Sequence, residues 1–449
     1  MKKSTKLFLS IGAGLTAMAG IPLVAASCGG GKRAVSATGY THPKSPKTTV
    51  VNINTDDKFK LTPEQAKSVK KIAVITDAGD YNDKSFNQSA WEAILTFANK
   101  QNPDIPRDKY DIYEVKEGKF TDAYNLALNS GAQVFVLPGF LHADNIKTWY
   151  QANKAKIQEK KITLIGLDFD NGPFGANIPD TDGTGIFLNM KIKEAAFIAG
   201  YAAAKFLSEK PEAKRTFTTF GGGAFPGVTD FNEGFMKGVL YFNSQPGNED
   251  KKVRTSEPEV NLTSGFTVGQ QMNGVIEGRL ATNPSLILPV AGPATDVTVN
   301  SPNLGDALVV GVDTDQALSV SKNSDRFFTS IQKNIGQAFY DAVARVATGI
   351  GMNDEILGGF KYGSKTVNLV NGVDKNWVAV SPSHLLGEDK VKADKYLAEG
   401  KAEFEKLEKN ETLYRWLSSG RVTMGADAAE VNPVGQRLNQ LATEINKRS

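Results

Sequence analysis

The feature that most constrains this chain is a recurring unit: a short run of β-branched and aliphatic residues, closed at once by Asp, Gly or Pro, then a stretch with helical spacing. Residues 71–76 (KIAVIT) form the first such run, and after the loop from Asp77 to Asn87 comes a helical pattern with Trp91, Ile94, Leu95 and Ala98 on one face. Further strands are predicted at 111–115, 133–137 and 162–167, with helices at 121–129 and 143–160 between them. Strand, loop and helix in strict alternation predict a parallel sheet covered by helices on both faces.

The pattern then begins again. Strands are predicted at 185–188, 216–220, 286–290 and 307–312, with helices at 191–207, 229–242 and 270–280. A polar, turn-prone excursion over 243–259 interrupts this half and reads as a solvent-facing insertion. A chain of 449 residues is too long for one ordinary core, so two lobes are expected. The fold class is α/β: two doubly wound parallel-sheet lobes joined by a hinge, plus a helical C-terminal appendage. Lobe 1 is assigned residues 71–184 and about 335–365, lobe 2 residues 185–334 and about 366–382, and the extension 383–449, where charged stretches carry weak helical periodicity.

The strand ends carry the chemistry. Asp77, Pro138-Gly139, Asp168, Gly221-Gly222-Gly223, Gly292 and Asp313 each follow an apolar run, and they are distributed over both halves. In parallel sheets ligands bind beyond the carboxyl ends of the strands. A carboxylate there accepts hydrogen bonds from hydroxyl or N–H groups, and glycine lets backbone approach a ligand. Singly, Asp and Gly are ordinary turn and cap residues. Together they predict a cleft between lobes that closes on a small polar molecule. Phe86, between Ser85 and Asn87, offers a flat apolar face beside polar groups; its competing role is a core ring at a helix start. Asp80 and Asp83 are assigned to holding the loop, and Lys84 to solvent.

At the amino terminus Lys2, Lys3 and Lys6 precede an apolar stretch over 7–26 that ends Ala25-Ala26-Ser27-Cys28, at the single cysteine of the chain. This reads as a signal peptide over 1–27 with Cys28 as the lipidated first residue of the exported chain, followed by a flexible tether over 28–69. An uncleaved membrane helix is the other reading, weakened by Gly12, Gly14, Gly20 and Pro22. With Lys2, Lys3 and Lys6 removed, the 52 basic residues fall to 49 against 49 acidic ones, so nothing indicates binding to nucleic acid. An exported body with no cysteine after Cys28 gains its stability from core burial without disulfides.

The run Thr76-Asp77-Ala78-Gly79-Asp80-Tyr81-Asn82-Asp83-Lys84-Ser85-Phe86-Asn87-Gln88, followed by Trp91-Glu92, closely resembles the signature of the basic membrane protein family, the purine nucleoside receptor A-like lipoproteins. Phe231-Asn232-Glu233-Gly234-Phe235, Val290-Ala291-Gly292, Gly311-Val312-Asp313-Thr314-Asp315-Gln316 and Thr329-Ser330-Ile331-Gln332-Lys333 extend the resemblance across residues 71–350. The lipobox resembles that of mollicute surface lipoproteins of this group.

The resemblance implies a type I periplasmic-binding-protein-like fold and a solute-binding component of a nucleoside ABC importer, on the outer face of the membrane. Its partners would be a nucleoside (guanosine, adenosine or inosine), permease subunits, and the membrane through Cys28, with no cofactor. It also implies residue roles: Asp77 on the purine edge, Phe86 stacked on the base, Asn87 hydrogen-bonded to ligand, Asp168 on base or ribose, Asp313 on the ribose hydroxyls and Lys333 near the ribose. Gly292 belongs to the matched strand end, and the second stacking ring is Phe225 or Phe231. Pro293, where relatives carry glycine, and the longer 243–259 region and tail depart from the pattern.

Enzymatic readings find little support. His42, His142 and His384 are scattered, and neither a Gly-x-Ser-x-Gly elbow nor a Gly-x4-Gly-Lys-Ser/Thr loop occurs. The pair Asp168 and Asp170 keeps a nucleoside hydrolase open, and the tail and insertion keep open adhesion or host interaction.

Overall fold

The computed structural model describes residues 42–77, 80–169, 183–320 and 322–447. The proposed signal peptide, Cys28 and Asp170 lie outside the described residues. Among the described residues, twelve strands form two six-stranded sheets. The first runs in the order β2 (Tyr110–Tyr113), β1 (Ile72–Ile75), β3 (Val134–Pro138), β4 (Thr163–Leu167), β5 (Gly185–Met190), β11 (Val367–Asn371), and every pairing is parallel. The second runs β7 (Arg254–Thr255), β6 (Thr216–Gly221), β8 (Leu286–Val290), β9 (Leu308–Asp313), β10 (Phe327–Lys333), β12 (Val378–Val380). There only β12 is antiparallel, to β10. The two orders superimpose strand for strand, so Asp168 after β4 and Asp313 at the end of β9 occupy equivalent places.

Near-continuous apolar strands follow from burial on both faces. All four residues of β1 are buried; Ala73 and Ile75 join Phe135, Leu137 and Leu164 on one face, while Ile72 and Val74 pack on the other with Val134 and Ile165. The first face is covered by α3 (Phe120–Asn129) and α4 (His142–Glu159) through Tyr124, Trp149 and Tyr150. The second is covered by α2 (Phe86–Leu95) and α9 (Ile335–Thr348), and α2 packs directly on α9. In the second lobe α6 (Pro226–Ser244) lies against β6 and β8, and α7 (Gln270–Leu280) and α8 (Ala294–Val299) cover the opposite face.

The lobe boundaries differ from those read in the sequence. Residues 185–190, assigned to lobe 2, are β5 of the first sheet, and 367–371, also assigned to lobe 2, are β11 of that same sheet. The chain crosses over only after β5, when the apolar helix α5 (Ile192–Ser208) packs on α6, β10 and β12 of the second lobe. It crosses back after β10, when α9 packs on β3 and β4, and again between β11 and β12.

Residues 42–69 correct the tether assignment: they form a strap fastened to lobe 1. The Trp91 indole donates to the Lys44 carbonyl (2.9 Å), the Val50 amide to the Glu92 carboxylate (3.1 Å), and the Asp56 amide to the Tyr340 hydroxyl (2.9 Å). Phe59 is fully buried, and helix α1 (Pro63–Ser68) begins in a capping box of Thr62 and Gln65. Burial pushes Glu92 up to about 7.

The extension after residue 383 packs on lobe 2. Helix α10 (Gly387–Glu408) lies on α5, and α12 (Val434–Asn446) lies on α6 and β7. Between them α11 (Glu411–Ser418) ends on the ammonium of Lys237. That fully buried group donates to Glu233 (2.6 Å) and to the carbonyls of Trp416 and Ser419 (2.8 Å each). Arg437 and Lys193 each reach Glu233 at 3.0 Å. Burial draws Lys237 down to about 8. Burial works against the Glu233 anion, but the surrounding cations outweigh it and hold that carboxyl below its usual range.

Candidate functional site

The carboxyl ends of both sheets face one another across a cavity of about 510 Å³. Lobe 1 supplies Asp77 and the segment from Asp80 to Phe86, whose end is shaped by Asp83. That carboxylate accepts from the backbone amides of Ser85 (2.9 Å), Asn87 (3.0 Å) and Gln88 (3.0 Å), and so satisfies the free N–H groups at the start of α2. Burial raises the Asp83 pKa above the ordinary carboxylate value.

Asn87 is buried behind this loop. Its side-chain amide donates to Asp83 (2.8 Å) and Asp77 (3.2 Å), and its oxygen accepts the Asp77 N–H (3.0 Å). Those bonds hold Asp77 toward the cavity. Gly139 makes this position available: with φ at +114°, a Cβ there would lie 2.1 Å from the Asp77 Oδ2.

Opposite stands Asp313, 7% exposed, in left-handed backbone with φ 65°, and its counterpart Asp168 has φ 66°. Burial raises Asp313 to about 6; Lys333 opposes the shift, and Asp168 adds to it. The Ser85 hydroxyl donates to Asp313 across the cleft (3.1 Å). The Lys333 ammonium donates across it to Asp168 (2.5 Å) and, within its own lobe, to the Gly227 carbonyl (3.3 Å). That ammonium is also 5.1 Å from the Phe86 ring centre and 5.2 Å from that of Phe231, so one ring from each lobe flanks it. On the rim Lys84 donates to the Ser319 carbonyl of the other lobe (2.8 Å).

Of the positions named from sequence, Asp77, Phe86, Phe231, Gly292 and Asp313 line the cavity. Asn87, Asp168, Phe225 and Lys333 are not among its lining residues: Asn87 braces the loop, Asp168 and Lys333 pair with each other, and the Phe225 ring packs on Phe140 at 4.2 Å. Lys84, assigned to solvent, joins the lining and bridges the lobes. Sequence reading missed Phe140, Phe266 and Gln316 as lining residues. For Phe140 the signal was present, because it directly follows Pro138-Gly139 at a strand end. Among the described residues, no group of three or more His, Cys, Asp or Glu is placed to hold a metal ion.

Two parallel α/β lobes crossed repeatedly by the chain, with a polar and aromatic cavity between the strand ends, offer a site for a small solute between the lobes. Residues 69–364 match the family described as ABC transporter substrate-binding protein PnrA-like, and the chain belongs to that family. It is 27% identical over 297 residues to Basic membrane protein C of Borreliella burgdorferi, covering 63% of this chain and 75% of that protein. It is 24% identical over 312 residues to the ABC transporter nucleoside-binding protein BmpA of Lactococcus lactis subsp. cremoris, covering 64% and 78%. In fold it is similar to an ABC transporter system solute-binding protein from Aeropyrum pernix K1. That match has a TM-score of 0.52 and 16% identity, over 78% of this chain and 91% of the other. No described helix is long and apolar enough to cross a membrane.

Proposed function

We propose that this protein is a lipid-anchored receptor on the outer face of the membrane, binding a purine nucleoside between its lobes and delivering it to an ABC permease. The observation that carries the reading is the cavity lining. One phenylalanine from each lobe, Phe86 and Phe231, stands there with a carboxylate from each lobe, Asp77 and Asp313. Aromatic faces stack a base, a contact worth about 1–3 kcal/mol, and carboxylates accept from amino, ring N–H and ribose hydroxyl donors. A nucleoside-binding relative supports the same ligand class. Anchoring through Cys28 rests on the sequence signal alone.

A thermal-shift panel tests it. A ligand bound only by the native state adds about 2.7 kcal/mol at a hundredfold excess over Kd. Guanosine, adenosine or inosine should therefore raise Tm by several degrees. No shift from any of them at millimolar concentration would remove nucleosides as the ligand class. Phe86→Ala should weaken binding roughly 5- to 150-fold if the ring stacks on the base.

A further inference from the structure

Asp315 stands two residues beyond the site carboxylate Asp313, at the N-cap of a short helical turn, Gln316–Leu318. An aspartate there ordinarily accepts a backbone N–H of the turn, but this side chain makes no such bond. Its Oδ2 accepts instead from His384 Nε2 at 2.9 Å, while Oδ1 is buried without a hydrogen-bond partner. The histidine side chain is 25% exposed and that of Asp315 14%, so water screens the contact only in part.

His384 lies beyond residues 69–364, the part matched to the family, and its backbone is a fixed base. Directly after β12, the Ser381 amide donates to the Ser330 carbonyl (2.9 Å), and the Ser381 carbonyl accepts from the Thr329 hydroxyl (2.7 Å). The Ser383 amide donates to Asp394 of α10 (2.7 Å), and the His384 amide to the Phe327 carbonyl of β10 (3.1 Å).

The loop that this base grips is the one that meets lobe 1. Asp313 accepts from Ser85, the Thr314 hydroxyl donates to the Lys84 carbonyl (3.3 Å), and the Ser319 carbonyl accepts from the Lys84 ammonium. Asp313 also holds left-handed backbone, φ 65°, a conformation that persists in a residue other than glycine only where the surroundings enforce it. Gln316 secures the inner side of the loop, through the Val312 amide (2.7 Å) and the Gly292 carbonyl (3.3 Å). His384 secures the outer side.

We propose that His384 is a positioning residue for the site: through Asp315 it holds loop 313–319 in the shape that presents Asp313 to the cavity and meets lobe 1 at Ser85 and Lys84. Without the imidazole, the half-buried Asp315 carboxylate has to turn toward water, and the loop turns with it.

The affinity arm of the test rests on the nucleoside reading; the exchange arm does not. In titrations of the full-length chain in detergent, His384→Ala and Asp315→Ala should each weaken guanosine binding about tenfold, and the double variant should weaken it no further, because both remove one contact. His384→Gln, whose side-chain amide can donate to the same oxygen, should bind within about twofold of wild type. In hydrogen exchange without nucleoside, His384→Ala should speed exchange at residues 313–319 and at residues 83–88 of lobe 1, which carry no substitution, and His384→Gln should keep it slow. Wild-type affinity and exchange in His384→Ala would overturn the proposal. So would additive losses in the double variant, or a His384→Gln variant as impaired as His384→Ala, which would make the imidazole a packing group. If wild-type protein binds no nucleoside yet His384→Ala alone speeds exchange across the cleft, the positioning role stands and the nucleoside reading falls.

Discussion

Replacing Asp313 by Asn should make the protein more stable at neutral pH and a weaker binder. The carboxyl is 7% exposed, and burial raises its pKa from 3.8 to about 6. The folded state therefore holds the proton more tightly than the unfolded chain does. Its contribution to stability is fully present below pH 3.8 and is lost as pH rises through about 6. The difference corresponds to roughly 3 kcal/mol by about pH 8. Asn keeps an acceptor for Ser85 and carries no charge, so the variant escapes that loss. Urea denaturation at about pH 4 and pH 8 should show the wild type falling relative to Asp313→Asn by up to this amount. Titration with guanosine should show affinity reduced about 10- to 100-fold, from loss of a charged acceptor for ribose hydroxyls. Opposite signs for stability and affinity mark a group retained for binding. A variant less stable than wild type at pH 8 would show that Lys333 and Ser85 more than offset the burial of the anion, and would refute the reasoning.

Lys237→Met should cost about 3–5 kcal/mol in urea denaturation, because it removes the donor that satisfies Glu233 and the carbonyls at the end of α11; an unchanged midpoint would show that the extension is held some other way. Gly139→Ala should displace the Asp77 carboxylate and weaken nucleoside binding about tenfold or more, measured by titration, since the new Cβ would sit 2.1 Å from Oδ2. Glu92→Gln should remove a pH-dependent loss of stability. Burial raises Glu92 from 4.5 to about 7, so the wild type should lose roughly 3 kcal/mol relative to the variant between pH 4.5 and 8, and parallel stability curves would contradict this.

The strands and their polar ends were legible because a strand buried on both faces must be apolar throughout and its ligand-facing end must not be. The sheet to which a strand belongs is not written locally. Residues 185–190 carry nothing that distinguishes a last strand of one lobe from a first strand of the next; pairing with β4 decides it. The strap was illegible for a related reason. Residues 42–59 have no periodicity because their order comes from distant partners: Trp91, Glu92, Gln337 and Tyr340. At the site, Phe86 and Asp313 stood out because their surroundings in sequence were already polar or at a strand end. Phe266 did not, lying in a loop whose approach to Phe140 depends on how the two lobes meet. Asn87 was legible as a motif residue, but its hydrogen bonds run inward to Asp77 and Asp83.

The strap and the C-terminal helices have a mechanical consequence. The strap is bonded to α2 and α9, which travel with the first sheet, and the terminal helices to α5 and α6, which travel with the second. The strap and the terminal helices each ride as a passenger on one lobe. Length or sequence can therefore be added or exchanged at either end without stiffening the waist. A probe fused beyond residue 447 would report the movement of the second lobe, while its opening remained governed by the chain crossings after β5, β10 and β11.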